Sequence, residues 1–181
     1  ITNESGVIDL AQYSVMCVDG RDQLPVLDWK LKTDLATLLV GSGVLASTRD
    51  ADGRIIDDVV VLAKENEFWL YASVRALEKL GAQIRWAVLS VQGAFASDTL
   101  GRSIGKAIAL GEFNWGAMRF FDSELMIVKH ARTGVDGFDV LVPAEHAAIL
   151  WEILVANHAC PVGCDALNLA RAEAGLAVDE S

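Results

Sequence analysis

Two adjacent carboxylates, Asp57 and Asp58, open an apolar strand over residues 59–62 and follow a turn-forming segment at residues 50–53. Neighbouring residues of a strand point to opposite faces of a sheet, so one carboxylate is expected to face solvent and the other to face inward. An inward carboxylate is costly unless a ligand or partner compensates it. The pair is therefore the first candidate for a functional site. The alternative is an ordinary strand start with one solvated carboxylate and one that caps the turn.

Cysteine offers little further chemistry. The chain has an odd count of cysteines, Cys17, Cys160 and Cys164, which is typical of reduced thiols and predicts a cytoplasmic protein. Cys160 and Cys164 lie four residues apart with His158 close by, but no second Cys or His pair at zinc-finger spacing accompanies them. Structural zinc usually needs four ligands, so we predict no metal site.

The other histidines, His130 and His146, do not lie beside a recognisable nucleophile motif. His146 is expected on the exposed side of a helix. The sequence contains no P-loop and no dinucleotide-binding fingerprint. The common signatures of nucleotide-binding proteins and dehydrogenases are therefore missing from the chain.

Charge and hydropathy exclude two classes of partner. The chain has 25 acidic and 15 basic residues and a net charge of -10, whereas a nucleic-acid surface needs a basic patch, so we expect no nucleic-acid partner. No apolar run reaches the roughly 18 residues that a membrane span needs, so we expect no membrane partner either. At 181 residues the chain has room for one large domain or two small, tightly packed ones.

The elements that must position the acidic pair follow from apolar spacing and turn residues. Strands are predicted over residues 7–10, 13–18, 41–47, 55–62, 67–72, 86–91, 120–129 and 137–142, and helices over 22–32, 74–84, 94–100, 143–155 and 166–174. This order gives a first α+β half, residues 1–84, with the Asp57-Asp58 strand, and a second, residues 85–181, with the Arg132-Thr133-Gly134 loop. We predict a pseudo-duplicated α+β fold of mixed sheets with flanking helices, in which the halves form one compact unit.

Several segments resemble, in order, the landmarks of the glycine cleavage T-protein family of folate-binding aminomethyltransferases and their relatives. They are residues 6–10, 18–22, 53–61, 89–93, 132–140 and 166–176. Each segment is a weak indication alone, but their common register across nearly the whole chain is specific. The chain is similar to a shortened member of the family.

The resemblance implies a folate-binding fold that holds tetrahydrofolate in a central channel. It implies transfer of an aminomethyl or methyl carbon between folate and a small amine or methylated substrate, with Asp58 as the catalytic residue that acts as acid/base or through its charge. A carboxylate at this place can orient an amine by a charge-assisted hydrogen bond and stabilise an iminium-like cation as it develops.

Departures from the family pattern fall where the ligand would bind. The loop from Arg132 to Asp136 is about three residues short by this resemblance, and Asp136 is the nearest carboxylate to replace the Glu that holds the pterin ring. The pterin-side Tyr of the family falls at Ala46, and an Asn falls near Tyr71. Arg132 and Arg171 are weaker candidates for the folate carboxylates, and each could instead hold the fold.

Aromatic residues supply one more candidate. Trp115, Phe120 and Phe121 can form an aromatic wall for the cofactor, although aromatic side chains on strands more often fill cores. The lost pterin-side residues favour a second function, a non-catalytic accessory subunit or regulator with a protein partner, as in sarcosine-oxidase-type complexes. A third is a binding domain for another small molecule on the same fold.

Overall fold

The computed structural model of the chain describes residues 3–19, 24–49, 52–80 and 86–176. Its strands are β1 (Gly6–Asp9), β2 (Tyr13–Asp19), β3 (Gly43–Arg49), β4 (Ile55–Ala63), β5 (Glu67–Ser73), β6 (Trp86–Gln92), β7 (Trp115–Phe120), β8 (Ser123–Lys129), β9 (Gly137–Pro143) and β10 (Cys160–Pro161). Its helices are α1 (Leu24–Leu31), α2 (Val74–Leu80), α3 (Ala96–Ile104), α4 (Ala144–Ala156) and α5 (Cys164–Glu173). The predicted α+β class with flanking helices is confirmed. None of the helices in these ranges is long and apolar enough to cross a membrane.

The chain divides into two compact units. The six-stranded unit comprises residues 1–11, 86–112 and 116–181, and the four-stranded unit comprises residues 12–85 and 113–115. The first strand thus joins the sheet that is otherwise built from later strands. The predicted division into residues 1–84 and 85–181 stays a prediction about domain organisation.

The six-stranded sheet has the strand order β10-β1-β6-β9-β8-β7. β1 pairs parallel to β10 and antiparallel to β6, so the sheet is mixed. β6 and β9 lie inside it and consist largely of buried apolar residues, as expected for strands covered on both faces. Leu100 of α3 and Leu150 of α4 belong to the same buried cluster as Val91 and Val140, so both helices pack on this sheet.

The four-stranded sheet has the order β2-β5-β4-β3 and is antiparallel throughout. Leu31 of α1 and Leu77 of α2 share a buried cluster with Val59 and Val61 of β4, so one face of the sheet is covered by these helices. Because side chains alternate along a strand, Asp58 lies on the opposite face of β4 from Val59 and Val61.

The elements differ from the predictions in a few places. The predicted strand over residues 120–129 starts later, at Ser123, as β8, because a turn at Phe121, which has a φ of 54°, precedes it. Strand β7 on the other side of this turn was not predicted. The predicted helix over residues 94–100 begins at Ala96 and continues to Ile104, and the short strand β10 was not predicted. The predicted start of the first helix at residue 22 and the end of the second at residue 84 lie outside the described residues.

Candidate functional site

The two adjacent carboxylates have different surroundings. Ser47 Oγ donates a hydrogen bond of 3.1 Å to Asp58 Oδ1 from the facing strand β3. Asp57 Oδ1 accepts the backbone N–H of Asp58 at 2.8 Å, so this carboxylate is turned back onto its own strand. Both side chains are half-buried, which differs from the expected solvent-facing and inward pair. Asp58 Oδ2 receives no hydrogen bond from any residue that the structure describes, and so it is the oxygen available to a ligand.

The face of β4 that carries Asp58 continues into an apolar floor. Val60 follows on the same face, and its strand partner on β5 is Tyr71, while its partner on β3 is Leu45. Val60 and Tyr71 are buried, whereas Leu45 is 41% exposed. Of these three apolar side chains, Leu45 is therefore the one that a ligand beside Asp58 could reach.

Ala46 does not belong to this face. It is buried in the cluster under α1 and α2, together with Val59, and its side chain therefore points away from Asp58. A tyrosine at this position would point into the core. Leu45 lies on the Asp58 face of β3, and the equivalence of the family Tyr with Ala46 stays a prediction.

Asp136, the predicted pterin-side acid, is engaged within the six-stranded unit. Its carboxylate forms an ion pair with Lys129, and its second oxygen accepts the backbone N–H of Ser97 at 3.2 Å. Ser97 lies in the first turn of α3, where an acidic side chain is favourable for the helix. These contacts fix the carboxylate in place, and whether it also binds a ligand stays a prediction.

Arg132 is paired with a core carboxylate. It is 5% exposed, and its Nε lies 3.0 Å from both oxygens of Asp139, which is itself fully buried. Of the two roles predicted for Arg132, the contacts support that of holding the fold. A contact of Arg132 with folate stays a prediction.

Asp139 is the centre of a buried polar network. Ser90 Oγ donates to it at 2.7 Å, and His130 Nδ1 lies 2.9 Å from its other oxygen. Gln92 Nε2 donates at 2.9 Å both to Ser90 Oγ and to the backbone carbonyl of His130. Burial alone would raise the pKa of the Asp139 carboxyl, but the charges of Arg132 and His130 hold it well below its usual range.

The sequence analysis missed this network. One indication was present, because Ser90 and Gln92 interrupt an otherwise apolar strand at alternate positions and so share one face. The strand pairing sets Ser90 opposite Asp139, a relationship between residues far apart in the chain.

Residues 1–180 match the family model described as the GCVT N-terminal domain. The chain belongs to this family. The predicted resemblance to the glycine cleavage T-protein family is thereby confirmed over nearly the whole chain.

Named relatives and a solved structure agree with this membership. The aminomethyltransferase of Francisella philomiragia is 25% identical over 194 residues, which cover 97% of this chain and 54% of that protein. The aminomethyltransferase of Caldanaerobacter subterraneus is 26% identical over 199 residues, which cover 97% of this chain and 53% of that protein. The crystal structure of glycine cleavage system aminomethyltransferase T from Bartonella henselae matches with a TM-score of 0.83 at 25% identity, covering 98% of this chain and 53% of that one. This chain thus spans about half the length of these relatives.

The remaining two predicted site residues of the GCVT domain hold internal positions. Arg171 lies in α5 and is 8% exposed. Trp115 donates its indole Nε1–H to the carbonyl of Ala63 at 3.2 Å and its backbone N–H to that of Gly41 at 3.1 Å. Both contacts orient the ring within the four-stranded unit, and a contact of Trp115 or Arg171 with a ligand stays a prediction.

The thiols of the GCVT domain form no shared site at Cys160 and Cys164. Cys160 lies opposite Gly6 in the β1–β10 pair, whereas Cys164 Sγ lies 3.8 Å from the carbonyl of Asp9. The two thiols are free, and they contact opposite ends of β1.

Cys17 has polar neighbours instead. Its Sγ donates to Glu67 Oε2 at 3.0 Å and lies 3.8 Å from Asp19 Oδ1, so the three ligand atoms are close enough to surround a cation. Burial and then the Glu67 hydrogen bond raise the pKa of the Cys17 thiol to about 12. Lys64 already pairs with Glu67 at 3.0 Å. A protonated thiol and a neutralised carboxylate favour a hydrogen-bonded cluster over a metal centre.

His146 is half-buried, not the surface residue that was predicted. Its Nε2 lies 2.9 Å from Asp122 Oδ1 and 3.1 Å from Ser123 Oγ, in a shallow depression beside Phe121 and Ile149. The hydrogen bond from His146 lowers the pKa of the exposed Asp122 carboxyl. Ser123 and Asp122 both contact Nε2 of His146. In a catalytic triad the serine and the aspartate contact different nitrogens of the histidine, so these three residues do not form one.

Proposed function

We propose that this GCVT domain binds tetrahydrofolate and takes part in the transfer of an aminomethyl or methyl carbon, with Asp58 as the residue that acts on the reacting amine. The observation that carries the proposal is the geometry of Asp58, which has one oxygen held by Ser47 and the other without a described partner. Two relatives that each match 97% of this chain are named aminomethyltransferases.

The residues around Asp58 fit a pterin in their chemistry. The free oxygen of the carboxylate accepts a hydrogen bond from an N–H group, and the negative charge favours a cation that develops on a neighbouring nitrogen. Leu45 lies on the same face and is 41% exposed, so it adds an apolar surface beside the carboxylate. When bound, tetrahydrofolate supplies the nitrogen that accepts the carbon, and Asp58 orients that nitrogen and stabilises the positive charge.

Other residues have secondary places in the proposal. Asp136 is the carboxylate that would hold the pterin ring in place of the family Glu, and it would have to share its oxygens with Lys129 and Ser97. Arg132, Arg171 and Trp115 would contribute at the edges of the ligand. We also propose a cytoplasmic location, because the three cysteines are free thiols, which persist in reducing compartments.

Calorimetric titration with tetrahydrofolate tests the proposal. The chain should release or absorb heat on binding, and Asp58→Asn should weaken binding and abolish carbon transfer while the unfolding midpoint stays the same. Asp57→Asn is the matched control, because its carboxylate contacts only the backbone in the described contacts, and it should bind folate as the wild type does. Absence of both heat and thermal stabilisation at millimolar ligand would refute the proposal.

One observation favours a second function. The carboxylate of Asp136 is engaged by Lys129, and the guanidinium of Arg132 is engaged by Asp139, so two groups that could bind folate are held by the fold. Such a domain suits a non-catalytic accessory subunit or regulator. Co-purification of a stoichiometric protein partner from native cells, together with no folate binding by the isolated chain, would support this function over the catalytic one.

A further inference from the structure

We propose that Ser47 is a positioning residue that fixes the rotamer of the Asp58 carboxylate. The inference rests on the proposed function for its consequence in catalysis. Its structural content, the dependence of the Asp58 side chain on Ser47, stands apart from any ligand.

The strand register places the two side chains together. Ser47 and Asp58 are directly opposite in the β3–β4 pair, and cross-strand partners on one face of an antiparallel sheet have Cβ atoms about 5 Å apart. The register shifts just beyond, between Thr48 and Arg49. An irregularity of this kind bends a strand locally and re-aims the side chains beside it, so the last regular positions set the direction of Asp58.

The hydroxyl is the described group that holds this carboxylate. Ser47 Oγ donates to Asp58 Oδ1 at 3.1 Å, and among the described residues no Lys, Arg or His is within ion-pair distance of Asp58. Arg49, the nearby cation on β3, instead donates to the carbonyl of Gly53 at 2.8 Å.

In Asp58, Oδ1 is held by Ser47 and Oδ2 is open, and this arrangement positions the carboxylate toward a ligand. The Asp58 side chain has two rotatable bonds, and a hydrogen bond at Oδ1 selects one orientation and thereby directs Oδ2. Alanine at position 47 removes the donor. Threonine keeps the hydroxyl and suits a strand, because β-branched residues are favourable there.

The first arm of the test needs no ligand. NMR scalar couplings of the Asp58 β-protons report its χ1 rotamer populations. We expect a single rotamer in the wild type and in Ser47→Thr, and averaging over rotamers in Ser47→Ala. Thr48→Val is the matched control: it removes a hydroxyl from the next residue, which donates to the Asp57 carbonyl at 3.3 Å and not to Asp58, so the Asp58 rotamer should be retained.

The second arm measures carbon transfer. Ser47→Ala should lower kcat about three- to tenfold with KM changed less than about twofold, since a hydrogen bond to a charged group is lost without loss of the binding surface. Ser47→Thr should restore kcat. Thr48→Val should leave kcat unchanged.

The arms separate the two proposals. A single Asp58 rotamer in Ser47→Ala would overturn the role of Ser47 whatever the ligand. If Ser47→Ala shows rotamer averaging while the wild type binds no tetrahydrofolate, the proposed function is refuted and the positioning role of Ser47 remains. Equal kcat in Ser47→Ala and wild type would show that the orientation of Asp58 does not matter to catalysis.

Discussion

Arg132 Nη2 lies 2.8 Å from Asp139 Oδ2, and both side chains are almost entirely removed from solvent. Arginine and carboxylate groups are stable at such depth only as a pair, because each alone would lack the solvation it has in water. This pair therefore connects the loop after β8 to the centre of β9.

Loss of the guanidinium is expected to destabilise the six-stranded unit strongly. Arg132→Met leaves Asp139 buried beside His130 and Ser90 without its main counter-charge, and we expect the free energy of unfolding to fall by about 3–5 kcal/mol. Urea unfolding followed by circular dichroism measures the change. Asp139→Asn with Arg132→Met removes both charges and should be less harmful than Arg132→Met alone; a double variant that is the less stable of the two would contradict the pairing.

The same carboxylate predicts an acid limit of stability. The pKa of Asp139 is lower in the folded protein than in the unfolded chain, so the folded state binds its proton less readily. The contribution of the Asp139 carboxylate to the free energy of unfolding is fully present above the unfolded pKa of about 4. It is lost as the pH falls below that value. Thermal unfolding between pH 6 and pH 2 should show this loss, and Asp139→Asn should flatten the curve. A wild type and Asp139→Asn with parallel curves would exclude Asp139 as the cause.

Cys17 should be the slow thiol. Its pKa is raised to about 12, so little thiolate is present near neutral pH. We expect a disulfide reagent at pH 8 to label Cys17 about tenfold or more slowly than the exposed Cys160, after allowance for the greater intrinsic nucleophilicity of a high-pKa thiolate. Glu67→Gln should speed the slow phase, and Cys17→Ser should remove it. Equal rates for both thiols would refute the raised pKa of Cys17.

The same thiol predicts an alkaline limit. Its folded pKa lies above its ordinary value of 9.0, so its contribution to stability is fully present below pH 9.0 and is lost as the pH rises toward about 12. Unfolding midpoints of wild type and Cys17→Ser, compared from pH 8 upward, should converge. Midpoints that stay equally far apart up to pH 11 would contradict this assignment.

Gly137 is expected to tolerate no side chain. A Cβ there would lie 2.1 Å from Gln92 Oε1, inside the buried network, and an overpacked core typically loses about 1–3 kcal/mol. Gly137→Ala should therefore lower the unfolding midpoint in urea. Gly163→Ala is the control, because a Cβ there meets no heavy atom within 4 Å and φ is -80°. Comparable losses in both variants would show that packing against Gln92 is not the reason.

Local pattern was enough to predict most of the elements. Apolar runs bounded by turn residues predicted β4, β6 and β9, because burial on both faces requires such runs. The turn at Phe121 was missed, since it contains neither Gly nor Pro and its aromatic residues continue the apolar pattern. Positive φ at phenylalanine is uncommon, and sequence pattern gives no warning of it.

The candidate site was only partly predictable for a different reason. Asp58 followed from its own sequence neighbours, whereas its partner Ser47 depends on the register of β3 against β4. The network around Asp139 depends likewise on the pairing of β6 with β9.

The position of β1 has a consequence for synthesis on the ribosome. In the part of the chain that the structure describes, strands β2 to β5 pair with one another alone, and all of them lie between residues 13 and 73, so their sheet can form early. β1 emerges before them, yet its neighbours in the sheet are β6 and β10. Val7, for example, cannot pair until Val91 and Pro161 have been synthesised. Contacts between distant parts of a chain form slowly, and unpaired strands are prone to aggregate meanwhile. A nascent chain that has reached residue 80 holds every partner of β2 and none of the partners of β1.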